Sequence, residues 1–368
     1  MKILFIINVL SGGGRERRMI QLIKSLSLDS SYKLSLVVLS DKTSVDYSDI
    51  YETKTELTFL SQNGDDINYK LLDNLVHKFA PNIVHCWCMN SRLLYHLVKL
   101  RIHHRFKLIS GYVADGNKIP LCSTEFITTH ASFMLSDCII SNSKAGLIAK
   151  NAPLSKSVVI YNGFDYNRFG KDLIKSEKRK ELGLDDVDFV ISMFARFSPA
   201  KDWDSFIECA SLLSWNKRIK FMAVGKGENL QTIIDLADKK GLNNIMFLGF
   251  RSDVEDLIRI SDLTMLWSND DYHAEGVSNS IMESMAAGVP VIASKGGGTC
   301  EIIDDKVNGY VVLPKDTHAA VNIIKALLTD TSKYYDVCST AKTEIEKRFL
   351  LSHMAHNYKQ LYVKLLNQ

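Results

Sequence analysis

The 368-residue chain contains no apolar run approaching the ~20 residues that a membrane-spanning helix needs, no low-complexity tract and no short sequence repeat. It has no strong charge of either sign: the formal net charge is +3, so no global basic field points to nucleic acid. Its seven cysteines are an odd number and scattered, and the closest pair, Cys86 and Cys88, has only Trp87 between them. That spacing fits neither a CxxC redox motif nor a zinc knuckle. Thiols acting as small apolar core residues in a reducing cytosol are the plainer expectation, which places the chain in the cytoplasm. A G-x-G-x-x-G fingerprint is also missing, which counts against a nicotinamide-dependent dehydrogenase. The opening Met1-Lys2-Ile3-Leu4-Phe5-Ile6-Ile7 is basic then apolar, but the run is short and leads to Gly12-Gly13-Gly14 without a small-residue cleavage site. It reads as a buried first strand rather than a signal peptide.

The chain does have the composition of a globular protein, 46% hydrophobic and 24% charged, at a length that suits two domains of ~150 residues. Short runs rich in Val and Ile at 2–8, 34–39, 56–60, 82–86, 106–110, 137–141 and 157–161 predict strands. Amphipathic segments at 15–26, 67–79, 91–101, 124–135 and 143–150 predict helices between most of them. This alternation predicts βαβ units and a mostly parallel sheet, covered on both faces because its strands are apolar throughout. A polar break at 162–186 follows. The pattern then restarts, with strands at 187–194, 219–224, 245–248, 263–267, 289–293 and 309–313 and helices at 202–214, 228–240, 253–260, 280–287, 316–329, 331–347 and 351–366. The expected fold class is α/β, two doubly wound domains with a cleft between them. Ligands of such sheets bind beyond the carboxyl ends of the strands, so functional residues should lie just after strands.

Three constellations lie there. Gly12-Gly13-Gly14 follows the first strand, where glycines let backbone amides approach an anion or a sugar; a plain tight turn accounts for them about as well. Arg196 ends a strand and Lys201 opens the next helix, a pair of cations suited to a diphosphate. The plainer reading is two surface cations, one pairing with Asp202 or Asp204. Most specific is Glu275-Gly276-Val277-Ser278-Asn279-Ser280-Ile281-Met282-Glu283, two carboxylates separated by seven residues. Glu275 is expected in a loop and Glu283 in the first turn of a helix that stops at Gly288, with Ser278, Asn279 and Ser280 as candidate N-caps. Ser280-x-x-Glu283 also fits a capping box, which would explain Glu283 without a ligand but not Glu275.

These residues resemble the retaining glycosyltransferases of family four, enzymes of the hexosyltransferase type with the GT-B fold of two facing Rossmann-like domains. The family's Glu-x7-Glu motif, followed by a helix of the type E-x-M-A-x-G-x-P-V-I-A, is matched by Glu275 to Ala293. Gly12-Gly13-Gly14, Ile140-Ser141-Asn142-Ser143, Val159-Ile160-Tyr161-Asn162-Gly163-Phe164-Asp165, Arg196 with Lys201, Val224-Gly225-Lys226-Gly227-Glu228 and Gly296-Gly297-Gly298-Thr299-Cys300-Glu301 look like further family motifs in the same order. The resemblance implies an acceptor-side domain over 1–163, a nucleotide-sugar domain over 164–349, and a last helix near 351–368 that crosses back to the first domain. It implies a donor site drawn from Gly13, Gly14, Arg196, Lys201, Glu275, Gly276, Val277, Ser278, Asn279, Ser280 and Glu283. Within that site Glu275 would hold the donor sugar, Glu283 the ribose, and Arg196 and Lys201 the leaving diphosphate of what is usually a uridine nucleotide. Glu275, Arg196 and Lys201 would carry catalysis without a metal or other cofactor. The acceptor would be a glycan or lipid-linked glycan of a cell-surface polysaccharide, and nucleic acid is not a partner.

The chain departs from the family in places. Ala195 stands where Gly is common, and Asp202 where Gly commonly follows the Lys. Asn269-Asp270-Asp271-Tyr272-His273-Ala274 is longer than the usual linker; Asp270, Asp271 and His273 are better read as solvated loop residues than as metal ligands. No His follows the strand at 106–110, which leaves Asp115 and His130 as acceptor-side candidates. Residues 92–107 carry Arg92, Lys99, Arg101, Arg105 and Lys107 without an acid, and Leu93, Leu97 and Leu100 lie on one side. Such a helix can rest on anionic lipid at the inner face of the membrane, with Arg15, Arg17 and Arg18 adding to the patch. An ordinary solvated face with its apolar stripe packed on the sheet is the plainer alternative. Two other functions compete with transfer: a non-catalytic sugar-nucleotide-binding subunit, and a GT-B-like nucleotide-sugar epimerase.

Overall fold

A computed structural model of the protein describes residues 1–10, 13–42, 48–61, 66–170, 173–269, 272 and 274–368. The chain divides into two units, the first comprising Met1–Ala114, Lys118–Gly163 and Leu351–Gln368, the second Asp115–Asn117 and Phe164–Leu350.

Unit 1 is a parallel sheet of β1 (Lys2–Ile7), β2 (Lys33–Val38), β3 (Glu56–Phe59), β4 (Ile83–Cys86), β5 (Lys107–Val113), β6 (Cys138–Ser141) and β7 (Ser157–Val159), in the order β3-β2-β1-β4-β5-β6-β7. Its helices are α1 (Gly14–Ser27), α2 (Ser48–Tyr51), α3 (Tyr69–Phe79), α4 (Ser91–His103), α5 (Thr124–Leu135), α6 (Lys144–Ala149) and α15 (Leu351–Leu366). Side chains alternate across a strand. Ile3, Phe5 and Ile7 therefore join a core with Met19, Leu22 and Leu26 of α1 and Met354 and Leu365 of α15. Leu4 and Ile6 face the other way, into a core with Leu72 and Val76 of α3 and Leu93, Leu97 and Leu100 of α4. The leucine stripe of α4 is thus buried against the sheet and is not available to lipid. Arg92, Tyr95, Lys99, Ile102, His103 and Arg105 are what that segment exposes. Arg18, expected in the same basic patch, is buried as well; it donates to Asn162 Oδ1 at 3.3 Å and to the Gly111 carbonyl at 3.2 Å, and lies over the Trp87 ring.

Unit 2 is a second parallel sheet, β8 (Phe189–Phe194), β9 (Ile219–Val224), β10 (Ile245–Gly249), β11 (Leu263–Leu266), β12 (Val291–Ser294) and β13 (Tyr310–Val312), in the order β10-β9-β8-β11-β12-β13. It carries α7 (Lys175–Glu181), α8 (Trp203–Leu212), α9 (Leu230–Lys239), α10 (Val254–Ile260), α11 (Asn279–Ala286), α12 (Thr299–Ile302), α13 (Thr317–Thr329) and α14 (Thr331–Arg348). The polar break at 162–186 holds α7, whose charges conceal one buried anchor. Arg179 donates to the Ile260 carbonyl and to Asp262 Oδ2 at 2.7 Å each, and Asp262 Oδ2 also accepts the Val190 amide at 2.7 Å. Gly288, at φ +71°, takes the left-handed conformation that stops α11, and Pro290 leads directly into β12.

The two sheets with helices on their faces make the α/β, GT-B-type fold expected from the sequence. Among the described residues no helix is long and apolar enough to cross a membrane.

His85 of β4 lies inside unit 1 and holds the Tyr362 hydroxyl of α15 through Nδ1 at 2.8 Å. Burial, reinforced by Arg18, pushes its pKa well below the ordinary value. The ring is therefore neutral in the folded protein, whereas the unfolded chain takes up a proton near pH 6.5. Stability from this group is present above about pH 6.5 and is lost as pH falls, by at most about 1.4 kcal/mol per pH unit. Urea unfolding at pH 7 and pH 5.5 should show a loss in the wild type that is smaller in His85→Gln. An equal loss in both proteins would assign the dependence elsewhere.

Candidate active site

The carboxyl ends of β8, β9, β11 and β12 bring the candidate residues of unit 2 together. After β8 the chain turns through Arg196 to Lys201, and Phe197 stacks on Trp203 of α8 with ring centroids 3.9 Å apart. The Trp203 indole donates to the Arg196 carbonyl at 3.1 Å. Lys201 forms an antiparallel bridge with Ser268, just beyond β11; around it the Asp202 backbone amide donates to the Trp267 carbonyl and the Asn269 backbone amide to the Ala200 carbonyl, each at 3.1 Å. Asp202 is then committed to capping α8, accepting the Ser205 amide at 3.1 Å and the Ser205 hydroxyl at 2.6 Å. The Lys201 ammonium turns instead to Glu275 Oε1, and both side chains are largely buried.

The backbone of Glu275 is fixed from two sides. Its carbonyl accepts the Gly298 amide at 2.8 Å. Gly297 packs so close that a Cβ there would lie 1.8 Å from the Glu275 carbonyl oxygen, and its φ is +47°. Only glycine fits both demands, which gives the Gly296-Gly297-Gly298 run after β12 a structural purpose. On the other side Asp115 forms an antiparallel bridge with Glu275. The Gly116 amide donates to the Ala274 carbonyl at 2.8 Å, and the Ala274 amide donates to Asn117 Oδ1 at 2.6 Å.

Gly276, Val277 and Ser278 lead into α11, with Val277 and Ser278 buried. Ser278 is the N-cap, so the helix begins at Asn279 and Ser280 lies within it. The capping box expected between Ser280 and Glu283 is displaced by this start, because Glu283 is then the fifth helical residue, two beyond the third position that motif requires. Ser280 shares a hydroxyl contact of 3.1 Å with Ser278. Glu283 is buried and accepts from Arg168 at 2.9 Å. Among the described residues the Arg196 side chain reaches Glu228, at 3.5 Å, with 73% of its side chain exposed, a pairing too solvated to hold it in place.

The remaining expected residues lie elsewhere. Gly13 and Gly14 belong to unit 1, as the N-cap and first residue of α1, while Gly12 is outside the described residues. His130 lies on α5, also in unit 1, with Nδ1 2.9 Å from the Phe126 carbonyl and its ring stacked on Phe126. Asp270, Asp271 and His273 are outside the described residues, and among those described no group of three or more His, Cys, Asp or Glu is placed to hold a metal. Two residues here had no signal in the sequence: Arg168, and Glu255 in the first turn of α10, which accepts the other arm of the same guanidinium. Arg168 follows the Asn162–Asp165 signature, but nothing in the spacing reveals a partner 115 residues away.

A model of the family described as "Glycosyl transferases group 1" matches residues 174–344. The putative glycosyltransferase EpsD of Bacillus subtilis is 31% identical over 277 residues, 70% of this chain and 70% of that protein. The Escherichia coli UDP-Gal:alpha-D-GlcNAc-diphosphoundecaprenol alpha-1,3-galactosyltransferase is 27% identical over 225 residues, 57% of this chain and 55% of that one. Over several of the curated relatives it matches, the chain spans between about half and two thirds of their length, 53% to 65%. In fold it is similar to Anabaena HepE in complex with UDP-glucose, with a TM-score of 0.80 at 23% identity over 99% of this chain and 100% of that one. A glycosyltransferase from Rickettsia africae has a TM-score of 0.85 at 20% identity, over 99% and 98%. The Glu275–Glu283 segment lies inside the matched region, and on that match together with the EpsD likeness the chain belongs to the group 1 glycosyl transferases.

Proposed function

We propose that this chain is a retaining glycosyltransferase that takes a sugar from a nucleotide diphosphate donor, a UDP-sugar by preference, and transfers it to a glycan or lipid-linked glycan in the making of cell-surface polysaccharide. The observation that carries this reading is the contact between Lys201 and Glu275 at the carboxyl ends of β8 and β11, with the exposed Arg196 on the same turn. The UDP and undecaprenol diphosphate in the names of similar proteins favour the same substrates.

Without donor, the two buried charges compensate each other. A bound diphosphate offers Lys201 a second anion, and Arg196, whose exposed side chain makes a solvated contact with Glu228, can turn onto the phosphate oxygens. As the bond from the anomeric carbon to the phosphate oxygen breaks, its electron pair leaves with the diphosphate, and the two cations stabilise the growing charge. Glu275, released from part of its hold on Lys201, accepts from hydroxyls of the donor sugar. The acceptor hydroxyl oxygen bonds to the anomeric carbon on the face that the diphosphate leaves and gives its proton to the departing phosphate oxygen, so the anomeric configuration is kept. In this scheme the cations take the part of a metal, and no cofactor is required. The enzyme would work in the cytoplasm, at the inner face of the membrane where a lipid-linked acceptor is held.

Lys201→Ala and Arg196→Ala should each lower kcat/KM by the equivalent of about 2–4 kcal/mol, the usual effect of removing one preorganised charge partner, and Glu275→Gln should impair turnover with the fold intact. Turnover of a nucleotide sugar with an acceptor extract measures this, and full activity in all three variants would overturn the assignment. The same assay in excess EDTA should retain activity; loss restored by manganese or magnesium would return Asp270, Asp271 and His273 to consideration as ligands. Co-sedimentation with anionic vesicles tests the membrane contact. Binding at low salt that weakens with added salt, and in a variant neutralised at Arg92, Lys99 and Arg105, supports it, whereas no binding at low salt means that the enzyme meets its acceptor by diffusion.

A further inference from the structure

One guanidinium in unit 2 bridges two carboxylates from different helices. Arg168 lies in the short turn Tyr166–Arg168, which Asp165 caps by accepting the Asn167 amide at 3.0 Å. Its NH1 donates to Glu283 Oε1 of α11 at 2.9 Å, and its NH2 donates to Glu255 Oε1 of α10. The guanidinium lies 5.4 Å from the centre of the Phe164 ring, an aromatic floor that limits its orientation. All three side chains are largely buried, Glu283 most of all with 7% of its side chain exposed. Burial lowers the Arg168 pKa, but Glu283 and Glu255 more than offset it, and the net direction is upward.

We propose that Arg168 is a positioning residue for the nucleotide, holding the Glu283 carboxylate oriented to accept the ribose hydroxyls, with Glu255 as the counterweight that keeps the guanidinium centred. This rests on the donor-site reading above, in which Glu283 faces the ribose. A ribose diol offers two O–H donors, and an ionised carboxylate is the side chain that accepts both. A carboxylate buried this deeply without a cation is costly and would turn toward water, which forfeits the acceptor geometry. A diphosphate bound at Lys201 and Arg196 would sharpen the demand, since it brings more negative charge into the same unit. Lysine is a poor substitute, because a single ammonium cannot reach both Glu283 and Glu255 in the fixed fork that arginine provides.

The test is calorimetric titration of the full chain with UDP, 2′-deoxy-UDP and 3′-deoxy-UDP. A hydrogen bond from a hydroxyl to a charged acceptor changes affinity on the order of tenfold to a hundredfold. The wild type should therefore bind UDP at least about tenfold more tightly than one of the deoxy analogues. In Arg168→Gln that ratio should collapse toward one, through loss of UDP affinity with little change for the analogue. Arg168→Lys should restore part of it. A purely structural role would weaken all three ligands together. Thermal melts without ligand check the fold, and should Arg168→Gln not fold, the ratio in Arg168→Lys decides. Undiminished discrimination in the folded variants, or a parallel loss for every ligand, overturns the proposal and leaves the donor-site reading standing. A wild type that does not distinguish UDP from its deoxy analogues overturns the assignment of Glu283 to the ribose, and this proposal with it.

Discussion

In a parallel sheet all strands run one way, so each crossover helix must carry the chain back and each strand must deliver its next loop to the same edge. In unit 2 that constraint does most of the assembling. β8 releases Arg196, β9 releases Gly225 to Glu228, β11 releases the segment that ends in Glu275, and β12 releases Gly296 to Gly298. None of these loops needs to find the others by a long excursion, because hydrogen bonding between neighbouring strands has already placed their starting points side by side. The order β9-β8-β11-β12 is also where the sheet changes its direction of growth, and the helices on either side of such a switch diverge and leave room for a ligand.

The charges at that edge obey a second rule, that a buried carboxylate needs a cation. Glu275 and Glu283 lie on one short stretch of chain, yet each has its own cation from a different part of unit 2: Lys201 from the turn after β8 and Arg168 from the turn that opens the unit. The two pairs differ in kind. Lys201 and Glu275 meet one to one, so a new anion can redistribute them, whereas Arg168 is shared between Glu283 and Glu255 and is the stiffer of the two. A site with one yielding pair and one rigid pair can separate the group that changes during a reaction from the group that only has to be held.

Much of this was legible in the sequence. The strands and most helices are where the Val- and Ile-rich runs and amphipathic segments place them, because β-branched runs and 3.6-residue stripes report burial directly. The Glu-x7-Glu segment and the stop at Gly288-Val289-Pro290 could be read because their chemistry is local. What escaped depends on partners far away in the chain. α7 looked like a polar linker because Arg179, one cation among several, gives no sign that it is the buried one. The start of α11 at Asn279 rather than Ser280 undid an apparent capping box, since a three-residue spacing does not determine which serine lies outside the helix. The basic stretch after Arg92 held a leucine stripe that faces the sheet, and periodicity alone cannot distinguish a core from a membrane. Arg168, Gly116 and Asn117 had no signal, for their partners Glu255, Glu283 and Ala274 lie 87 to 158 residues downstream.

The place of α15 bears on the order in which the protein can be made. Unit 1 takes its closing helix from residues that follow unit 2 in the chain, and Met354, Tyr358, Tyr362 and Leu365 are part of the core beneath β1 and β4. On a ribosome, all the strands of unit 1 emerge well before the helix that covers one of their faces. Unit 2, contiguous from Phe164 to Leu350 but for the three residues Asp115–Asn117, has nearly all it needs as soon as it is out. The half synthesised later can therefore reach its native state earlier, and the first half must wait with apolar surface uncovered until α15 has emerged. Nascent chains stalled before Leu351 would be the natural clients of a chaperone.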